Sequence, residues 1–135
     1  MTPTPSESGR TPPRERFAVS EDAVDLAKAA EVLRNEPGTG QHGHRQMALF
    51  RHGAETVALY CFEAGAKLPG HVIEGPVLIQ VLSGRLKVRT DRTEHELAAG
   101  MLLRLAPNVE HDVEAIDASD MLLTVCIEGP NSHHT

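Results

Sequence analysis

Histidine is the residue type best suited to chemistry in this chain, and two of its eight copies, His71 and His111, stand where a loop gives way to an apolar run. An imidazole can ligate a metal, carry a proton near neutral pH or hydrogen-bond a ligand. His71 follows Gly65-Ala66-Lys67-Leu68-Pro69-Gly70, and His111 follows Gly100 and the Ala106-Pro107-Asn108 bend. Alternate side chains of a strand share a face, so Ile73 is expected beside His71, with Val77, Ile79 and Val81 on one wall. The spacing therefore predicts an apolar inner wall through Val77, Ile79 and Val81 beyond His71 and Ile73. Two imidazoles among Ile and Val under-coordinate zinc, which takes three protein ligands, and non-haem iron, which takes two His and a carboxylate. Glu74 is the nearest carboxylate to His71, yet its parity in an extended chain is wrong, as is that of Glu110 and Asp112 beside His111. Only a bulge or a loop ending would turn one of them inward. No cofactor is required on this reading. The alternative is a divalent transition metal on His71 and His111, with Glu74 or water completing the shell.

The remaining histidines read as surface groups. His42-Gly43-His44 has a metal-like pattern but sits in a Gly-rich loop, His95 lies between Glu94 and Glu96, and His133-His134 forms a tail. Other nucleophiles lack partners. Ser83 stands in a turn with Gly84 and outside any Gly-x-Ser-x-Gly elbow. Cys61 and Cys126 each lie within an apolar run, and so sparse a pair reads as buried small hydrophobes of a reducing compartment. Neither a Gly-x-Gly-x-x-Gly nor a Walker pattern occurs, which removes nucleotide-dependent catalysis.

The elements that must position His71 and His111 follow from periodicity. Residues 1–16 hold Pro3, Pro5, Pro12 and Pro13 among polar residues and are expected to form a disordered arm. Ala23, Leu26, Ala27, Ala30 and Leu33 then recur at helical spacing, with Ser20 as the expected N-cap and an end near Asn35, so that a short helix and a loop fill residues 17–44. From residue 45 the pattern alternates with period two. Runs at 46–50, 56–63, 77–82, 85–90, 93–97, 101–105, 109–115 and 121–127 are separated by turn residues. In the run at 85–90, Leu86 and Val88 face one way and Arg85, Lys87 and Arg89 the other. About eight short strands at this spacing predict an all-β sandwich or barrel over residues 45–128, with a tail at 129–135.

The pattern Gly65, five residues, His71, and a closing Gly84, followed by Gly100, Ala106-Pro107-Asn108 and His111, resembles the cupin superfamily over about residues 45–127. The resemblance implies a double-stranded β-helix, the jelly-roll barrel, with a metal held at its mouth by three His and one Glu. Here the second His position is Ile73 and the Glu position is Val77, while Ala106 and Asn108 replace a preferred Pro and Gly. The resemblance thus implies a pocket lined by His71, Ile73, Val77, Ile79 and His111 that is kept better than the ligand set. The resemblance implies either a small-molecule binder or a metal-dependent dioxygenase, isomerase or lyase. It also implies a homodimer built through sheet edges or exchanged N-terminal strands.

Bulk properties fit these expectations. With 135 residues, 40% of them apolar, the chain is one domain with a buried core. A net charge of −6 and an aromatic content of only 3% argue against a nucleic-acid surface. No run is long enough to span a bilayer, and the polar N-terminus lacks an apolar signal core, so the expected location is cytoplasmic.

Overall fold

The computed structural model describes residues 21–37 and 43–127. The chain runs α1 (Leu26–Arg34), β1 (His44–His52), β2 (Glu55–Phe62), β3 (Lys67–His71), β4 (Val77–Ser83), β5 (Arg85–Thr90), β6 (Glu94–Ala98), β7 (Leu102–Leu105), β8 (His111–Ala115) and β9 (Ser119–Cys126). A larger sheet has the order β1-β2-β9-β4-β7 and a smaller one the order β3-β8-β5-β6. All the pairings are antiparallel. The two sheets face each other across one core, which is the jelly-roll barrel expected from the sequence. Among the described residues, no helix is long and apolar enough to cross a membrane.

Alternation sets the core. Val77, Ile79 and Val81 of β4 are buried while Leu78 and Gln80 between them are exposed. Leu86 and Val88 of β5, Val113 and Ala115 of β8, and Met121, Leu123 and Val125 of β9 complete the inner layer. A second apolar layer lies outside the larger sheet. There Met47, Leu49, Leu59 and Cys61 pack under Ala30 and Leu33 of α1. These residues have the opposite parity to the inner set, so the β1–β2 half of this sheet is buried on both faces.

Three details depart from the sequence expectations. The helix starts later, because Asp25, whose side chain accepts a hydrogen bond from the Lys28 amide at 3.1 Å, is its N-cap. The expected cap, Ser20, lies outside the described residues, as do the arm at 1–16, the tail at 129–135, His42, His133 and His134. Among the described residues there are nine strands: β3 carries Pro69-Gly70, which masks its β character, and such a sequence is tolerated because β3 is an edge strand with a bulge between Leu68 and His71. Finally, Cys126 is exposed at the end of β9, and only Cys61 belongs to the core.

Two close approaches shape the barrel ends. Gly84 has φ +83°, and a Cβ there would lie 2.3 Å from both the Ala118 carbonyl oxygen and Ser119 Oγ, so the β4–β5 turn needs glycine. Gly75, in the β3–β4 connection, would place a Cβ 2.0 Å from the Cys126 carbonyl oxygen.

Candidate functional site at the barrel mouth

The β3–β4 and β7–β8 connections lie at the same end of the barrel, and one hydrogen bond ties them together. The Asn108 amide donates to the Ile73 carbonyl at 2.8 Å. Asn108 itself has φ 65°, a left-handed conformation that Asn tolerates better than most residues. Strand β8 begins just after this bend with His111, which is 2% exposed. The His111 ring donates from Nδ1 to the Val109 carbonyl at 3.0 Å. A carbonyl only accepts, so Nδ1 carries the proton of this contact.

The register gathers polar groups around His111. Thr90, the last residue of β5, is its partner on one side and His71, the last residue of β3, its partner on the other. Thr90 Oγ1 lies 3.1 Å from Thr93 Oγ1, which in turn lies 3.1 Å from His95 Nε2. His95 stands opposite Val88 and is half-buried, on the inner parity of the smaller sheet rather than on the surface as expected. A cavity of about 600 Å³ opens at this end. Thr90, Arg92, Thr93, Asn108 and Glu110 give it a polar lining, to which Leu105 and Val109 add apolar wall.

The other expected site residues are placed as follows. Val77 and Ile79, 1% and 0% exposed, are packed into the core directly below the mouth. Ile73 is partly buried against that core, but it lies in a loop, since β3 ends at His71. Glu74 is exposed in the same loop, and Glu110 is exposed beside His111. Asp112 pairs in register with Arg89 on the outward parity of β8. The side chain of His71 lies outside the described residues.

His44 also departs from its expected loop. It opens β1 opposite Phe62, with its ring centroid 5.7 Å from that of Tyr60 and 5.6 Å from that of Phe62. Its Nδ1 is buried without a hydrogen-bond partner. Burial raises the Tyr60 phenol above its ordinary pKa.

The donor set does not fit the three-His, one-Glu metal site of the family it resembles. Ile73 and Val77 supply no donor, Glu74 faces solvent, and among the described residues no group of three or more His, Cys, Asp or Glu is placed to hold a metal ion. The open volume is instead lined by hydroxyl, amide and charged groups, with the His111 ring buried behind them, and such a lining can hydrogen-bond a polar molecule.

Comparison with known proteins agrees with the fold. The cupin domain family model matches residues 58–128, more than half of the chain, and the chain belongs to that family. A search of the curated proteins finds no match. Among solved structures, a conserved protein of unknown function from Streptococcus pyogenes is similar with a TM-score of 0.66 and 18% identity, over 84% of this chain and 93% of that one. A cupin superfamily protein from Desulfitobacterium hafniense gives the same score and identity, over 84% and 96% of the two chains. A protein from Thermus thermophilus has 22% identity and a TM-score of 0.66, over 81% and 100%.

Proposed function

We propose that this cupin domain binds a small polar molecule at the barrel mouth, with Thr90 and Asn108 as polar contacts, the buried His111 behind Thr90, and Val77 and Ile79 in the core beneath. His71 and Ile73 belong to the same site on this reading, because one is the register partner of His111 and the other is bonded to Asn108. The observation that carries the proposal is the cavity of about 600 Å³ whose lining residues Val109 and Thr90 are the hydrogen-bond and register partners of the buried His111. A volume of this size falls within the roughly 300–1,000 Å³ typical of small-molecule pockets. The test is a thermal-shift screen of polar metabolite-sized compounds against the wild type and Thr90→Val. A ligand that binds only the folded state raises the melting temperature by mass action. A stabilising compound is expected to lose most of its effect in Thr90→Val, and equal stabilisation of both proteins would overturn the proposal.

A homodimer is also inferred. Leu78 and Leu102 are exposed on neighbouring strands β4 and β7, outside the larger sheet, and β7 is one of that sheet's two edges. An uncovered apolar edge of this kind favours self-association. Light scattering on the purified protein is expected to give twice the chain mass, and a monomer across the accessible concentration range would contradict it.

A further inference from the structure

A second cavity, of about 560 Å³, lies at the opposite end of β4 from the mouth, between α1 and the end of the larger sheet. Leu26 and Ala27 of α1 form one wall, and Phe62 and Leu82 form the other. Ala27 is exposed on this wall, so a larger side chain there would project into the space. The far end of this groove is polar. Arg34 Nη1 donates to Asp120 Oδ2 at 2.5 Å, and Ser83 Oγ donates to the same oxygen at 3.2 Å. Asp120 is 8% exposed, whereas the Arg34 side chain is half-exposed. The groove thus has an apolar body and an end where one cation and one anion cancel.

We propose that this groove binds a neutral molecule with a short apolar chain and a terminal hydroxyl. The charge balance selects the head group. A carboxylate would be set beside Asp120 and an ammonium beside Arg34, so either charge would be desolvated next to a like charge. A hydroxyl both accepts and donates, which lets it take a hydrogen bond from the guanidinium and give one to the Asp120 carboxylate. The chain then lies between Leu26 and Leu82 and removes their surface from water. This site shares no lining residue with the mouth and does not depend on the function assigned there.

The test is amide chemical-shift mapping of the full chain with 1-hexanol, hexanoate and hexylamine. Saturable shifts with hexanol are expected at Leu26, Ala27, Leu82 and Ala118. Affinity is expected to fall by about tenfold or more in Ala27→Trp, and the milder Ala27→Leu gives the same direction if the larger side chain compromises folding. Hexanoate and hexylamine are expected to bind about tenfold more weakly than hexanol. In Asp120→Asn the order of hexanol and hexanoate should narrow or reverse, because Arg34 is then uncompensated. The proposal is overturned if hexanol gives no saturable shift, if its shifts concentrate at residues 90–93, or if the Ala27 variants leave binding unchanged. It is equally overturned if hexanoate binds the wild type as tightly as hexanol. Response of residues 17–19 to the Ala27 variants, without any response to hexanol, would assign the groove to the chain's own N-terminal segment and also overturn it.

Discussion

The two sheets differ most on their outer faces. Outside the smaller sheet stands a ladder of charges: Arg85 meets Asp117 at 2.9 Å and Glu96 at 3.3 Å, while Arg89 meets Glu94 at 3.0 Å and Glu114 at 3.4 Å. Outside the larger sheet the same positions of the pleat carry Met47, Leu49, Leu59 and Cys61 under α1, then Leu78 and Leu102 with no described element of the chain over them. The smaller sheet is therefore finished by water, and the larger one by α1 over its β1–β2 half alone. Water suffices for the first because paired surface charges need no further cover. The second requires a helix over one half and, in the proposed dimer, a second copy over the other.

Truncating the helix-covered face should produce the largest effect. Leu59 is 0% exposed between β2 and α1, and Leu59→Ala is expected to destabilise the fold by about 2–5 kcal/mol in denaturant titration, the usual cost of an internal Leu-to-Ala cavity. A loss near zero would mean that α1 is not part of the folded unit. The next contrast lies between the two thiols. Burial pushes the Cys61 thiol up to about 12, with Asp120 acting in the same direction, so almost no nucleophilic thiolate exists there at neutral pH. Cys126 is exposed. A native alkylation experiment should label Cys126 alone, with Cys61 reacting only after unfolding. Labelling of Cys61 in the native state would show that the helix opens.

Much of this division is legible from residue order. The alternation Arg85, Leu86, Lys87, Val88, Arg89 assigns both faces of β5 correctly, because each polar residue there is charged and each apolar one is branched. Position 95 carries the same signal, since His95 shares parity with Leu97, but its glutamate neighbours make the stretch read as surface. Strand β3 is obscured for a different reason, as Pro69-Gly70 is turn chemistry unless one knows that the strand lies at an edge. The mouth cavity itself is not legible. Its lining comes from residues 90–93 and from Leu105 and residues 108–110, brought together by the pairing of Thr90 with His111, and no periodicity encodes a contact between loops. The motif positions His71 and His111 are register partners of β3 and β8.

A smaller effect on stability, but a clear one on assembly, is expected from Leu102→Arg. Leu102 is 61% exposed, so the substitution costs the single chain little, yet it places a charge on the bare half of the larger sheet. Sedimentation should show the dimer shifted toward monomer, and an unchanged dimer would place the interface elsewhere. The smallest effect belongs to the charged ladder. The Arg89 hydrogen bond, helped by Lys87, holds the Glu94 carboxyl below its ordinary pKa. The stabilisation from this pair is therefore complete above the ordinary carboxylate range and is lost as pH falls through the lowered value in the folded state. Glu94→Gln should flatten that part of the acid limb of stability against pH while leaving neutral stability nearly unchanged, since exposed pairs contribute little. A large loss at neutral pH would show that the ladder is structural after all.

Recognition of a small polar molecule at the mouth is tested most directly by a crystal structure of the complex with the most stabilising compound from the screen. The compound is expected in the cavity between residues 90–93 and 108–110, hydrogen-bonded to Thr90 or Asn108, with the buried His111 behind Thr90. A compound bound elsewhere, with the mouth holding only water or a cation clasped by His71 and His111, would contradict it.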